Sequence, residues 1–151
     1  MSAAAVPAFQ HTLRRLLPGL WLGLLLCIAF VATPAPFATL EPEAAGRVVR
    51  HIFAIEAPAS LVLGVVLLML ERRAGLARLE AGGPSQFTGE MMFVLGALFC
   101  TVAGHYGLQP LFDQARASGG PVAFGTLHTA STGFFGLKIL LVAALAWKAA
   151  R

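Results

Sequence analysis

Four long apolar stretches, separated by short segments that hold nearly all of the charge, constrain this chain more than any other feature. They run from Leu16 to Val31, Ile52 to Leu70, Met91 to about Tyr106 and Val122 to Trp147. A helix needs about 20 predominantly apolar residues to cross the hydrocarbon layer of a bilayer. Four such helices account for much of a 151-residue chain, which leaves little for a separate soluble domain. None of the runs alternates with period two, as the strands of a membrane barrel would. A helix, in contrast, satisfies its own backbone in lipid. The expectation is an all-α membrane protein forming one four-transmembrane-helix bundle, with spans at about 14–33, 51–70, 88–107 and 123–147. Composition agrees: 12% of residues are charged, against about 25% in soluble domains.

The charge that remains orients the chain. A net charge of +4 would raise the question of nucleic acid in a soluble protein. Here the cations flank apolar runs, which is the pattern of membrane orientation and argues for no nucleic acid among the partners. Arg14, Arg15, Arg72, Arg73, Arg78, Lys148 and Arg151 share one side, and only Arg47, Arg50 and Arg116 share the other. Basic residues concentrate on the cytoplasmic side, so both termini are expected to be cytoplasmic. The first run resembles a signal peptide in having Arg14 and Arg15 before it, but an uncleaved span is the expectation.

Breakers divide the runs. Pro34 and Pro36 end the first, Gly82-Gly83-Pro84 follow the second, and Gly119-Gly120-Pro121 precede the fourth. Pro42 to Arg50 reads as a short interfacial helix. Each half is an apolar hairpin whose outer loop begins with proline near phenylalanine, a pattern compatible with duplication. Small residues recur at helical spacing as Gly19-Gly23-Cys27, Ser60-Gly64 and Gly96-Cys100-Gly104. In lipid such stripes admit close helix approach. Packing within one bundle is their expected use, and a homo-oligomer through one of them is the alternative. Cys27 and Cys100 are expected to be buried, reduced packing residues. Met69, Met91 and Met92 read as ordinary apolar residues.

Ionisable groups within a membrane are costly, so each is a functional candidate. His51, His105 and His128 fall near the outer boundary on three different helices, with Glu56 roughly one and a half turns deeper than His51. Ser131 lies one turn below His128 on the same face. Three uses are open: a b-type haem or transition metal bound by imidazoles, a proton- or ion-linked transport site, or hydrogen bonds across helices at the wet boundary. No HxxH, HxxxH or ExxH pair lies on a single helix. Lys138 sits mid-span on the fourth helix. Its estimated depth differs from that of Glu56 by several residues, so snorkelling rather than direct pairing is expected. GxSxG, HExxH and P-loop signatures are absent.

Three segments carry a resemblance: Ala45-Gly46-Arg47 with His51-Ile52-Phe53, Gly104 through Leu111, and Phe124 through Ser131 continuing to Lys148. Together they resemble the bacterial membrane family known as domain of unknown function 4149, which is similar to the eukaryotic transmembrane protein 205-like proteins. Phe124, Leu127, His128 and Ser131 match its Phe-x-x-Leu-His-x-x-Ser element. Phe134 and Phe135 stand where the eukaryotic proteins often have an asparagine. The resemblance implies a four-helix architecture in the bacterial inner membrane and no established reaction. Arg47, Arg50 and Glu56 are also similar to the second helix of membrane-associated glutathione-dependent enzymes, although an asparagine expected before Glu56 is missing.

The resulting expectation is a non-enzymatic inner-membrane protein with a polar site near the outer-leaflet end of the bundle. His128, Ser131, His105, Glu56, His51 and Lys138 are its candidate residues. It would bind or pass a small ligand or ion, or organise a membrane complex. The lipid bilayer is the first partner, and haem or metal the alternative cofactor.

Overall fold

Lipid offers the backbone no hydrogen bonds, so each apolar run is driven to close its own ladder as a helix. The computed structural model describes residues 8–118 and 123–151 and shows helices with no strand among them. The first span comprises α1 (Ala8–Cys27), a π-helical segment (Ile28–Ala32) and the short α2 (Pro34–Thr39). The second is a single long helix, α3 (Pro42–Glu80). The third repeats the plan of the first: α4 (Gly89–Thr101), a π-helical segment (Val102–Gly107) and α5 (Gln109–Ser118). The fourth is α6 (Phe124–Ala150). All four are long and apolar enough to cross a membrane. Residues 119–121 of the third breaker cluster lie outside the described residues.

Helix starts follow local chemistry. Pro42 stands in the first turn of α3, where its missing N–H has no intrahelical partner to lose. Thr88 caps α4 by accepting the Met91 N–H at 3.2 Å. The end of α3 turns on Gly82, whose φ of +89° lies in the left-handed region that L side chains avoid. Beneath that turn, Gly75 lies against the Gln86 carbonyl, where a Cβ would overlap the backbone.

The four spans pack in sequence order around a square. Backbone contacts join α1 to α3, α3 to α4, α4 to α6 and α6 to α1. Among the described residues, the diagonal pairs α1–α4 and α3–α6 make no close backbone contact. Trp21, Leu25, Leu67, Val94, Ala97, Val142 and Leu145 fill the axis. The start of α1 and the end of α6 lie at one end of the bundle, where Arg14 on α1 grips Glu71 on α3 and Lys148 on α6 faces Glu90 on α4.

Three expectations are corrected. The polar stretch Pro42–Arg50 is not a separate interfacial helix; it continues without a break into the second span. Cys27 is exposed on the outer surface of the bundle, whereas Cys100 is buried as expected. The Gly19-Gly23-Cys27 stripe faces outward, since a Cβ at either glycine would meet nothing within 4 Å. The third stripe packs inward: a Cβ at Gly96 would come within 3.0 Å of Leu141 and one at Gly104 within 2.7 Å of Phe134.

Candidate functional site

A carboxylate and an ammonium meet on the bundle axis. Glu56 lies fourteen residues into α3 and Lys138 fourteen residues into α6, so both sit about 21 Å along their helices. Lys138 Nζ lies 2.7 Å from Glu56 Oε1, and each side chain is only 3% exposed. This overturns the expectation that Lys138 snorkels away from Glu56. The depth mismatch came from starting the second helix at His51 instead of Pro42. With the true start, the two charges are level, and the lysine stem spans the diagonal between helices whose backbones stay apart.

The rest of the constellation satisfies the pair. Ser60, one turn after Glu56, donates its hydroxyl to Glu56 Oε1. Trp21 on α1 in turn donates its indole N–H to Ser60 Oγ at 2.9 Å. Lys138 Nζ lies 4.9 Å from the centre of the Phe135 ring, a cation–π contact. Phe135 meets Phe53 edge-on at 5.0 Å. Residues of α1, α3 and α6 thus close around one carboxylate oxygen. The buried Cys100 of α4 lies within Coulombic reach of Lys138.

The three histidines do not share one position. His105, in the second π-helical segment, is half-buried and within Coulombic reach of both Glu56 and Lys138. Its ring stands edge-on to that of Tyr106 at 4.9 Å. His51 and His128 are exposed on their helices. His128 stacks on Phe124 at 6.5 Å, and Phe124 contacts Phe112, with the Arg116 guanidinium lying over both phenylalanines. Ser131 reaches inward to the Gly104 carbonyl at 3.4 Å, where Gly104 gives α6 its close approach. Among the described residues, no three His, Cys, Asp or Glu side chains gather as a metal-holding group.

Sequence reasoning treated Trp21 as one more apolar residue and Ser60 as a packing residue. A signal for both existed. Tryptophan favours the membrane interfaces, where its N–H is wet, so a tryptophan five residues after Leu16, where the first apolar run begins, needs a buried acceptor. A serine at i+4 from an intramembrane glutamate supplies one. Glu71, beside the cations Arg72 and Arg73, is buried, with Arg14 donating Nε and Nη2 to its two oxygens at 2.9 and 2.7 Å.

Four apolar spans around a charge-paired core define a multi-pass membrane protein of the helical-bundle class. The chain belongs to the family described as domain of unknown function (DUF4149), whose pattern matches residues 16–121. That match contains Trp21, Glu56, Ser60 and His105 and stops before α6, which carries Lys138 and the Phe124–Ser131 element. No curated protein and no solved structure matches the chain significantly.

Proposed function

We propose that the protein is a non-enzymatic protein of the bacterial inner membrane, with both termini cytoplasmic, that binds or passes a small ligand or ion at the core centred on Glu56 and Lys138. The single observation that supports this reading is the ion pair on the axis, linking two helices whose backbones make no close contact. Ionisable side chains at such depth are rare and mark ion pathways, proton relays or ligand counter-ions. A bundle in need of stability alone would do as well with apolar side chains of the same volume. In this reading Glu56 exchanges a proton or small cation, and Lys138 is the internal counter-ion released when another positive charge takes its place. Ser60 and Trp21 orient the carboxylate, and His105 is the adjoining group towards the end opposite the termini.

The test uses purified protein in liposomes loaded with a pH-reporting dye. After an imposed pH step, wild-type liposomes are expected to equilibrate faster than empty ones. Glu56→Gln should remove that acceleration while keeping its helical content. If wild type equilibrates no faster than empty liposomes, ion passage is rejected, and the pair becomes a strut of a scaffolding protein.

A further inference from the structure

Away from the buried pair, two adjoining hollows open between the start of α1 and the end of α6. The first, about 390 Å³, is walled by His11, Thr12 and Arg15 of α1 and by Ala149 and Ala150 of α6, with Leu16 at its deeper edge. The second, about 310 Å³, shares His11, Arg15 and Ala149 and adds Arg14, Lys148 and Arg151. Two carboxylates, Glu71 and Glu90, also line it. They are already engaged: Glu71 takes both of its hydrogen bonds from Arg14, and Glu90 faces Lys148 at 3.4 Å. Arg15 and Arg151 are exposed and make no ion pair among the described residues. The double hollow therefore holds two uncommitted guanidinium groups and an exposed imidazole.

The surroundings identify what such a hollow takes. Arginine presents a planar fork of donors suited to two oxygens of one phosphate. Leu16 lies at the deeper edge of the hollow, and Trp147, beneath the Arg151 guanidinium at 5.0 Å, is 64% exposed. Phe9 on α1 is 71% exposed. Aromatic rings in this position belong to the headgroup level of a bilayer, and basic pockets between spans hold anionic headgroups. A soluble anion would use the guanidinium groups and leave the apolar edge without a partner.

We infer that this groove between the first and fourth spans binds an anionic phospholipid, with its phosphate between Arg15 and Arg151 and an acyl chain descending past Leu16. The inference does not depend on what the Glu56–Lys138 core does.

Native mass spectrometry of the full chain in detergent, titrated with phosphatidylglycerol, tests it. Wild type is expected to retain phosphatidylglycerol in preference to phosphatidylcholine. Each exposed arginine lost should weaken the adduct about fivefold, and Arg15→Gln/Arg151→Gln about thirtyfold. The control is Arg72→Gln/Arg73→Gln, which removes the same charge from exposed positions outside the groove. It should bind like wild type. Equal weakening in the control would mean diffuse surface attraction and would overturn the site. So would displacement of the lipid by millimolar inorganic phosphate, which would mark a free-anion site. Loss of wild-type preference for phosphatidylglycerol over phosphatidylcholine would overturn it as well. All variants replace exposed side chains, and an unchanged melting curve confirms that they fold.

Discussion

Lys138 and Glu56 are each tolerable only because of the other. Removing one partner of a buried pair strands a charge in low dielectric and costs about 3–5 kcal/mol, whereas replacing both by apolar or neutral groups is often close to neutral. Lys138→Met is therefore expected to unfold at much lower denaturant than wild type, and Glu56→Gln/Lys138→Met to recover most of that loss. A reversible unfolding titration in mixed micelles, read as a double-mutant cycle, measures the difference. Ser60→Ala leaves the Trp21 N–H without its acceptor and Glu56 with Lys138 as its one remaining side-chain donor among the described residues. It should cost about 1–3 kcal/mol in the same assay, and a value near zero would show that the hydroxyl contributes nothing. The candidates Glu56 and Lys138 were legible in the sequence as intramembrane charges. Their meeting was not, because in uniformly apolar spans periodicity does not fix helix rotation. A start misplaced from Pro42 to His51 also shifted the depth of Glu56 by nine residues.

Among the elements, hydropathy found all four spans because lipid selects for apolar length. It missed the extension of α3 over Pro42–Arg50, since that stretch is polar and its helix is continued by the ladder of the apolar part behind it. It also missed the two π-helical segments, which leave no compositional trace. The glycine stripes divide by what they face. A methyl at Gly104 would press on Phe134 Cβ, an atom fixed to its backbone, so accommodation requires α6 to move. Gly104→Ala should destabilise the bundle by about 1–3 kcal/mol. Gly19→Ala, with nothing within 4 Å, should stay within about 0.5 kcal/mol of wild type. Equal effects at the two sites would contradict the inward and outward assignment of the stripes.

For the whole molecule, four spans bring the start of α1 and the end of α6 to one end, and the Arg14–Glu71 and Lys148–Glu90 contacts there tie the square together. The excess of cations at that end is the ground for the proposed cytoplasmic placement. Green fluorescent protein fused at either terminus is expected to fluoresce, and alkaline phosphatase fused at either terminus to be inactive. Active phosphatase at both would invert the topology. The first and third spans share an α–π–α plan, while the second and fourth are single continuous helices.

The level placement of the diagonal pair has an electrical consequence. A membrane potential acts on charge displaced along the bilayer normal, with about 2.3 kcal/mol per elementary charge carried across 100 mV. Glu56 and Lys138 carry opposite charges in direct contact at one depth, so the closed pair is a small dipole with little projection on the field. Voltage alone should neither hold it shut nor pull it open. In the proposed function it opens on the arrival of another charge at Glu56, and it is that charge, crossing part of the field to reach the core, that would bring voltage dependence to its occupancy.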